Sequence, residues 1–324
     1  MRTPRPLPPE LSTAFTFAEA RSRGVARSRL RATDLEHPFH GVVARIPSST
    51  TGELEAGPSE AMRQKIERLA QAYATGMRPP QFFSHLTAAI LWRVPLPRLY
   101  DDVIDVSVHR PRRAPRGVGV RGHELDPGLV HITERDGLRL SSPASTWASL
   151  GPLLSAYDLV AAGDALVCIR QSSGGNGRAA KPLATLEQLR AAIDAGQRPG
   201  VGALRDAFGR IRTGSWSRME TWVRLILVDA GLPEPELNVD AYDNAGRFLG
   251  CIDLAYPDLK IAIEYEGAHH WMSAEQFQRD LDRLNRLVEN GWRIVRLTKK
   301  HVFNEPAEVV RRVAVARQQV NAAS

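Results

Sequence analysis

The chain has 324 residues, of which 43% are hydrophobic and 24% are charged, and its formal net charge is +7. This length accommodates more than one folded core, and the lack of an apolar run of about 18 residues excludes a membrane-spanning helix. The first residues lack a continuous apolar segment, so we expect no secretory signal. Two cysteines in apolar contexts suit a reducing cytoplasm. The arginine excess favours a polyanionic partner such as nucleic acid, with an arginine-rich genome as the alternative explanation.

The N-terminal region carries a basic helical pattern. Residues 15–34 predict two short helices separated at Gly24, and the following HPFHGVVARIP predicts a short strand. The second helix bears Arg27, Arg29 and Arg31. This is the outline of a winged helix-turn-helix, which presents such side chains to the DNA major groove. A helical hairpin with a solvated basic face is the alternative, which the short pattern alone favours.

The middle of the chain alternates between helical and extended patterns. After a linker at 47–58, helices are predicted at 59–75, 143–154, 156–168 and 185–195, and strands at 102–111 and in GLVHITE and GLRLSS. This alternation predicts an α/β middle domain. His85 lies in the apolar segment FFSHLTAAILW, where a core or capping role is favoured over a role in a site.

The C-terminal region, from Ser215 onward, predicts the element order α-β-β-β-α-β-α. Because strand side chains alternate between faces, Glu264 and Glu266 of IAIEYEG share one face, and Asp253 is an isolated acid in the preceding strand CIDLAY. Convergent carboxylates in apolar strands require a proton or a cation, and Mg²⁺ or Mn²⁺ prefers oxygen ligands. The sequence therefore predicts a metal site at Asp253 and Glu264, with a salt bridge to Arg or Lys as the alternative.

These acids also carry a resemblance. An Asp in one strand and Glu-x-Glu in the next, after a helix with Glu220, resemble the core of PD-(D/E)XK nucleases. The fuller pattern, CIDLAYPDLKIAIEYEGAHHW with FQRDLDRLNRLVENGWRIVRLT, is similar to the DUF559 branch, which is related to very-short-patch-repair endonucleases. The resemblance covers residues 215–315. It implies a restriction-endonuclease-like αβββαβ core.

The resemblance implies roles for individual residues. Asp253 and Glu264 would bind the metal, with Glu266 completing or flanking the site. His270, rather than its neighbour His269, occupies the family's histidine position, which implies an acid, a base or a contact to the scissile phosphate. Glu266 departs from the family pattern, because this branch more often has Asp there and other members of the superfamily have Lys. The means of water activation therefore stays open.

Two helical positions carry alternative interpretations. Glu220 is implied to support the metal or the water, but Ser217-x-x-Glu220 also has the spacing of a capping box, and the two interpretations have equal weight. Arg283 and Asp280 fit the family's helix motif, in which the arginine is implied to meet DNA phosphate. A solvated helix face is the alternative for this pair.

The front half carries a second resemblance. FTFAEARSRGVARSRLR, FSHLTAAILWRVPLP and LSSPASTWASL resemble the winged-helix and following region of AbiEi-type antitoxins. The sequence thus predicts a multidomain α/β protein with a winged helix-turn-helix module (1–50), an AbiEi-like α/β middle domain (51–200) and a nuclease domain (201–324). The expected reaction is Mg²⁺- or Mn²⁺-dependent hydrolysis of DNA phosphodiester bonds. An inactive DNA-binding regulator or antitoxin, and an RNA-directed nuclease, are the alternatives.

Overall fold

The computed structural model describes residues 4–46, 58–98, 101–169, 181–266 and 274–322 of the chain. These residues form helices and three separate β-sheets, which confirms the predicted mixed α/β class. The chain divides into two compact units, Met1–Leu153 with Gln188–Val201 and Leu154–Glu187 with Gly202–Ser324. Within the described part of the chain, no helix combines the length and the apolar character needed to cross a membrane.

Both units contain helices and strands. The helices are α1 (Phe17–Ser22), α2 (Pro58–Gly76), α3 (His85–Leu91), α4 (Pro143–Ser149), α5 (Ala156–Val167), α6 (Leu186–Asp194), α7 (Val201–Phe208), α8 (Arg218–Asp229), α9 (Ala274–Glu289), α10 (Lys299–Phe303) and α11 (Pro306–Asn321). The strands are β1 (Ala14–Thr16), β2 (Leu35–Glu36), β3 (Val42–Arg45), β4 (Phe82–Phe83), β5 (Ile104–His109), β6 (Val120–Leu125), β7 (Ile132–Arg135), β8 (Leu138–Ser141), β9 (Glu236–Tyr242), β10 (Phe248–Tyr256), β11 (Ile261–Glu266) and β12 (Arg293–Thr298).

The N-terminal region folds around a three-stranded antiparallel sheet of order β1-β3-β2. Strand β3 confirms the strand predicted in HPFHGVVARIP. Helix α1 begins where the Thr16 hydroxyl accepts a hydrogen bond from the Glu19 amide at 3.1 Å. The chain leaves the helix at Gly24, whose φ of 76° lies in the left-handed region that favours glycine. The predicted break at Gly24 is therefore confirmed.

The prediction of a second α-helix in this region was wrong. Between Gly24 and β2, the described residues form only a three-residue 3₁₀ turn, Arg29–Arg31. The Arg29 guanidinium donates hydrogen bonds of 2.9 and 2.7 Å to Asp34, and the Leu30 side chain is buried beneath the turn. A short helix forms too few backbone bonds to offset its nucleation cost. A turn held by these side-chain contacts forms instead.

The larger sheet of the first unit has five strands, in the order β6-β5-β4-β8-β7. Strands β5, β7 and β8 and helix α2 confirm the elements predicted at those positions. Strand β6 was not predicted from the sequence. It is an edge strand whose Arg121 and Glu124 side chains are exposed, so it lacks the apolar alternation that marks a half-buried strand.

The C-terminal part of the second unit has the order α8-β9-β10-β11-α9-β12-α10-α11. This confirms the predicted α-β-β-β-α-β-α order, with the short helix α10 as an addition. The four strands form one sheet of order β12-β11-β10-β9. Strands β9, β10 and β11 pair antiparallel, and β12 lies parallel to β11 after the crossover through α9.

The two faces of this sheet pack against different helices. Ile261 and Ile263 of β11 lie in a core with residues of α8 and α11, whereas Ala262 lies in a second core that includes Leu287 of α9. Burying each large apolar side chain contributes roughly 1.5–3 kcal/mol. The alternation confirms the predicted division of β11, and it places Glu264 on the face covered by α9.

A buried polar network joins α5 to α8. Asp164 of α5 and Arg224 of α8 are each 1% exposed, and Arg224 donates to Asp164 at 3.0 Å. Asp164 also accepts hydrogen bonds from the Thr221 hydroxyl and the Arg212 amide, each at 2.7 Å. Residues 154–187 accordingly belong to the second unit, whereas the sequence prediction assigned them to the middle domain. The division into three domains stays a prediction.

Candidate active site

The sheet brings two predicted acids into one cleft. Asp253 and Glu264 lie next to Leu254 and Ile263, which are paired across β10 and β11. The Asp253 carboxylate accepts a hydrogen bond from the Tyr265 amide at 3.2 Å. The cleft has a volume of about 230 Å³ and is lined by Asp253, Glu264, Tyr265, Glu266, Asp280, Leu281, Arg283, Leu284 and Arg296.

Arg283 of α9 makes the closest contact to the acids. Its guanidinium donates to both carboxylate oxygens of Glu264, at 3.0 and 2.8 Å, and to the Cys251 carbonyl at 2.8 Å. A side chain at Gly250 would place its Cβ 2.7 Å from Cγ of Arg283, so the glycine provides space for the arginine. Burial lowers the pKa of Arg283, but the hydrogen bonds to Glu264 raise it by a larger amount, so the net shift is upward. The salt bridge that was the alternative to a metal site is therefore present at Glu264.

The Asp253 carboxyl has a strongly raised pKa. Burial first, and then the charges of Glu264 and Glu220, raise the pKa of this carboxyl to about 7. The Tyr265 amide and the Arg283 charge act in the opposite direction. The ionised form of Asp253 therefore has too few favourable partners among the described residues, which is the condition that a bound cation would relieve.

Glu220 lies at the start of helix α8. The Ser217 hydroxyl accepts a hydrogen bond from the Glu220 amide at 3.1 Å, and the Glu220 carboxylate accepts one from the Trp216 amide at 2.8 Å. It also accepts one from the Asn238 side chain at 2.7 Å. Burial raises its pKa. The first bond confirms Ser217 as the N-cap of α8, whereas a role of Glu220 in supporting the metal or the water stays a prediction. The carboxylate does not line the cleft, and it affects Asp253 through its charge.

A second ion pair lies at the edge of the cleft. The Glu266 carboxylate pairs with the Arg296 guanidinium of β12. The sequence pattern did not indicate Arg296, because its place beside β11 depends on the parallel register that pairs Glu264 with Arg296. Arg296 is one of two arginines in the strand WRIVRLT, and nothing local distinguishes it from Arg293. His270, for which an acid–base or phosphate-binding role was predicted, and its neighbour His269 lie outside the described residues.

The donor chemistry of the cleft suits a hard divalent cation. Asp253, Glu264 and Glu266 supply carboxylate oxygens, the ligands that Mg²⁺ and Mn²⁺ prefer. Both Glu264 oxygens, however, accept hydrogen bonds from Arg283. Within the described residues, no set of three or more His, Cys, Asp or Glu side chains is arranged to hold a metal ion. The Arg283 charge beside these oxygens therefore opposes the binding of a metal ion at Glu264.

The predicted DNA-contacting arginines differ in their surroundings. Arg27 and Arg31 are exposed, whereas Arg29 is tied to Asp34 and to the Arg5 carbonyl. Arg283 lies in the cleft of the second unit. Arg27 and Arg31 thus have side chains accessible to a phosphate backbone, and Arg29 would first have to leave its carboxylate partner.

A buried polar cluster surrounds His85 in the first unit. The His85 and His123 rings stack with centroids 3.9 Å apart, and His123 contacts the Asp105 carboxylate at 2.8 Å. Burial lowers the pKa of His85 to about 4, and the charge of His123 acts in the same direction. His85 is therefore neutral at pH 7. The N-cap of α3 is Ser84, which forms no side-chain capping bond, and the core or capping interpretation of His85 stays a prediction.

Comparison with known proteins identifies two relatives. The chain is 33% identical over 117 residues to two uncharacterized proteins of Mycobacterium tuberculosis, from strains CDC 1551 and ATCC 25618. The match covers 36% of this chain and 43% of each relative, so it spans well under half of either protein. No protein-family model matches the chain. No solved structure matches it either.

Proposed function

We propose that this protein is a metal-dependent DNA endonuclease whose second unit has a nuclease core of the PD-(D/E)XK type, similar to the DUF559 branch. The observation that carries the proposal is the convergence of Asp253 and Glu264 in one cleft with two arginines. The pKa of Asp253, raised to about 7, supports it, because active sites concentrate such perturbed groups.

The residues of the cleft have distinct proposed roles. Asp253 and Glu264 would hold Mg²⁺ or Mn²⁺, which supplies phosphate polarisation and a more acidic water when bound. Arg283 and Arg296 attract the scissile phosphate, since a guanidinium matches phosphate oxygens in a bidentate manner. Glu266 either completes the ligand set or accepts the proton of the attacking water, and His270 is a further candidate for acid–base work.

The charge of the whole chain supports a nucleic-acid substrate. A net charge of +7 favours association with a polyanion, and Arg27 and Arg31 are exposed in the N-terminal region, which we propose to be a DNA-binding module. Contacts of this kind bind the phosphate backbone regardless of sequence. The module would therefore supply general affinity, and the cleft would carry the chemistry.

Plasmid nicking tests the proposal. The purified chain is expected to nick supercoiled DNA in Mg²⁺ or Mn²⁺, to stop in EDTA, and to lose nicking in Glu264→Gln, because the amide is a far poorer cation ligand. Glu236→Gln, an exposed position at the start of β9, is the matched control and is expected to match the wild type. Equal nicking by Glu264→Gln and the wild type would reject the assignment.

A catalytically inactive DNA-binding regulator is the second candidate. The occupation of both Glu264 oxygens by Arg283 favours it, because such a pair also stabilises a cleft that never holds a metal. This function predicts salt-dependent DNA binding with no nicking in any divalent cation. The nicking assay, combined with a binding assay on the same preparation, separates the two.

A further inference from the structure

Arg283 binds both carboxylate oxygens of Glu264, one of the two proposed metal ligands. Its two terminal nitrogens each donate to a different oxygen of Glu264, at 3.0 and 2.8 Å, and Glu264 is only 6% exposed. The third bond, to the Cys251 carbonyl, and the space above Gly250 fix the guanidinium in this place. The arginine thus neutralises Glu264, and its own charge opposes a divalent cation in the same space.

We propose that Arg283 is an internal cation that holds Glu264 closed until a nucleic-acid phosphate draws the guanidinium away, so that metal and polyanion bind cooperatively. This inference rests on the proposed nuclease function. It assigns Arg283 a gating role, in which the resting cleft carries the arginine at Glu264 and the DNA-bound cleft carries the metal there.

The surroundings of Arg283 permit the exchange. Its side chain is 23% exposed and lines the cleft, so a phosphate can reach it from solvent. A phosphodiester offers the same bidentate oxygen geometry as the carboxylate it would replace. Arg296 is a useful contrast, because it lies in the same cleft but pairs with Glu266 and is 54% exposed. A general effect of positive charge would involve both arginines, whereas the proposed gate involves only Arg283.

The proposal has a thermodynamic consequence. If DNA raises the affinity for the metal by some factor, the metal must raise the affinity for DNA by the same factor. Couplings of this kind are typically about 5- to 150-fold. Replacing Arg283 by a neutral residue should remove the coupling, because Glu264 is then available whether or not DNA is bound.

Calorimetric titration of Mn²⁺ into the full chain tests the gate. Without DNA, Arg283→Gln is expected to bind Mn²⁺ at least about tenfold more tightly than the wild type, within the usual range of such couplings. Arg283→Lys, whose single ammonium cannot hold both oxygens, should be intermediate. Arg296→Gln also removes a positive charge from the cleft but leaves Arg283 on Glu264, so its gain in Mn²⁺ affinity should be clearly smaller than that of Arg283→Gln. Circular dichroism of each variant verifies that it is folded.

The same titration with a saturating phosphorothioate-backbone duplex, corrected for Mn²⁺ bound by the duplex alone, completes the test. Wild type should gain Mn²⁺ affinity with DNA, and Arg283→Gln should gain little. Tight Mn²⁺ binding by DNA-free wild type, or equal gains for the Arg283 and Arg296 variants, would overturn the gate and leave the nuclease proposal standing. No Mn²⁺ binding by any variant, with or without DNA, would overturn both.

Discussion

Asp253→Asn is expected to lower metal-dependent cleavage on the order of 10³-fold while making the metal-free protein more stable at pH 8. Loss of a metal ligand removes several kcal/mol of transition-state stabilisation, and about 4 kcal/mol corresponds to this factor. The metal-free variant is nevertheless expected to be more stable than the wild type at pH 8. Burial and then the Glu264 charge raise the pKa of Asp253 to about 7, so the ionised carboxylate is unfavourable in the folded wild type.

The pH dependence of stability follows from that shift. A folded-state pKa above the unfolded value means that the folded protein binds the extra proton, so unfolding of the metal-free wild type becomes easier as the pH rises from about 4 to 7. Asparagine stays neutral, so the variant does not lose stability over this pH range. Its free energy of unfolding should exceed that of the wild type by on the order of 2 kcal/mol at pH 8, and the difference should disappear near pH 4. Thermal unfolding in EDTA at both pH values measures it.

The control for this prediction is Asp258→Asn, which changes an exposed aspartate in the 3₁₀ turn Pro257–Leu259. It should affect neither cleavage nor the pH dependence of unfolding. If Asp253→Asn instead destabilised the metal-free protein at pH 8, the carboxylate would be serving the fold rather than a cation.

Asp164→Ala is expected to destabilise the second unit by about 3–5 kcal/mol, because it removes the buried carboxylate partner of the Arg224 guanidinium, which also pairs with the partly exposed Glu234. The substitution also leaves the Thr221 hydroxyl and the Arg212 amide without their acceptor. For a unit of this size, such a loss lowers the unfolding temperature by roughly 10 °C. Differential scanning calorimetry measures the change.

Glu234→Ala is the matched control for Asp164→Ala. Glu234 also accepts from Arg224, at 2.9 Å, but its side chain is partly exposed, so solvent can replace the lost bond. We expect a decrease of less than about 1 kcal/mol for this variant. Equal decreases for the two variants would mean that burial of the Asp164 pair does not determine the stability of this network.

Much of the C-terminal fold could be predicted from the sequence, because its signals are local. The alternation in IAIEYEG determined which face of β11 carries Glu264, and acids isolated in apolar strands indicated where the carboxylates converge. Arg283 was found as a position in a helix motif, but its bidentate bond to Glu264 was not, because that contact depends on how α9 crosses the sheet.

Other features depend on distant parts of the chain. Arg296 reaches the cleft only through the parallel register of β11 and β12, which no local pattern encodes. Asp164 lies within the helix predicted at 156–168, yet its partners lie more than 40 residues further along the chain. The residues around Arg29 form a turn instead of the predicted helix. The helical pattern did not reveal the hydrogen bond from Arg29 to the Asp34 side chain that holds this turn.

Anomalous diffraction from crystals of the full chain, grown with Mn²⁺ and a phosphorothioate duplex, tests the central claim most directly. The account predicts a manganese peak about 2.0–2.3 Å from carboxylate oxygens of both Asp253 and Glu264, within the range for hard divalent cations. It also predicts that Arg283 has moved from Glu264 to a phosphate. A structure with DNA bound in the cleft, saturating Mn²⁺, no peak at either acid and Arg283 still on Glu264 would contradict a metal-dependent nuclease.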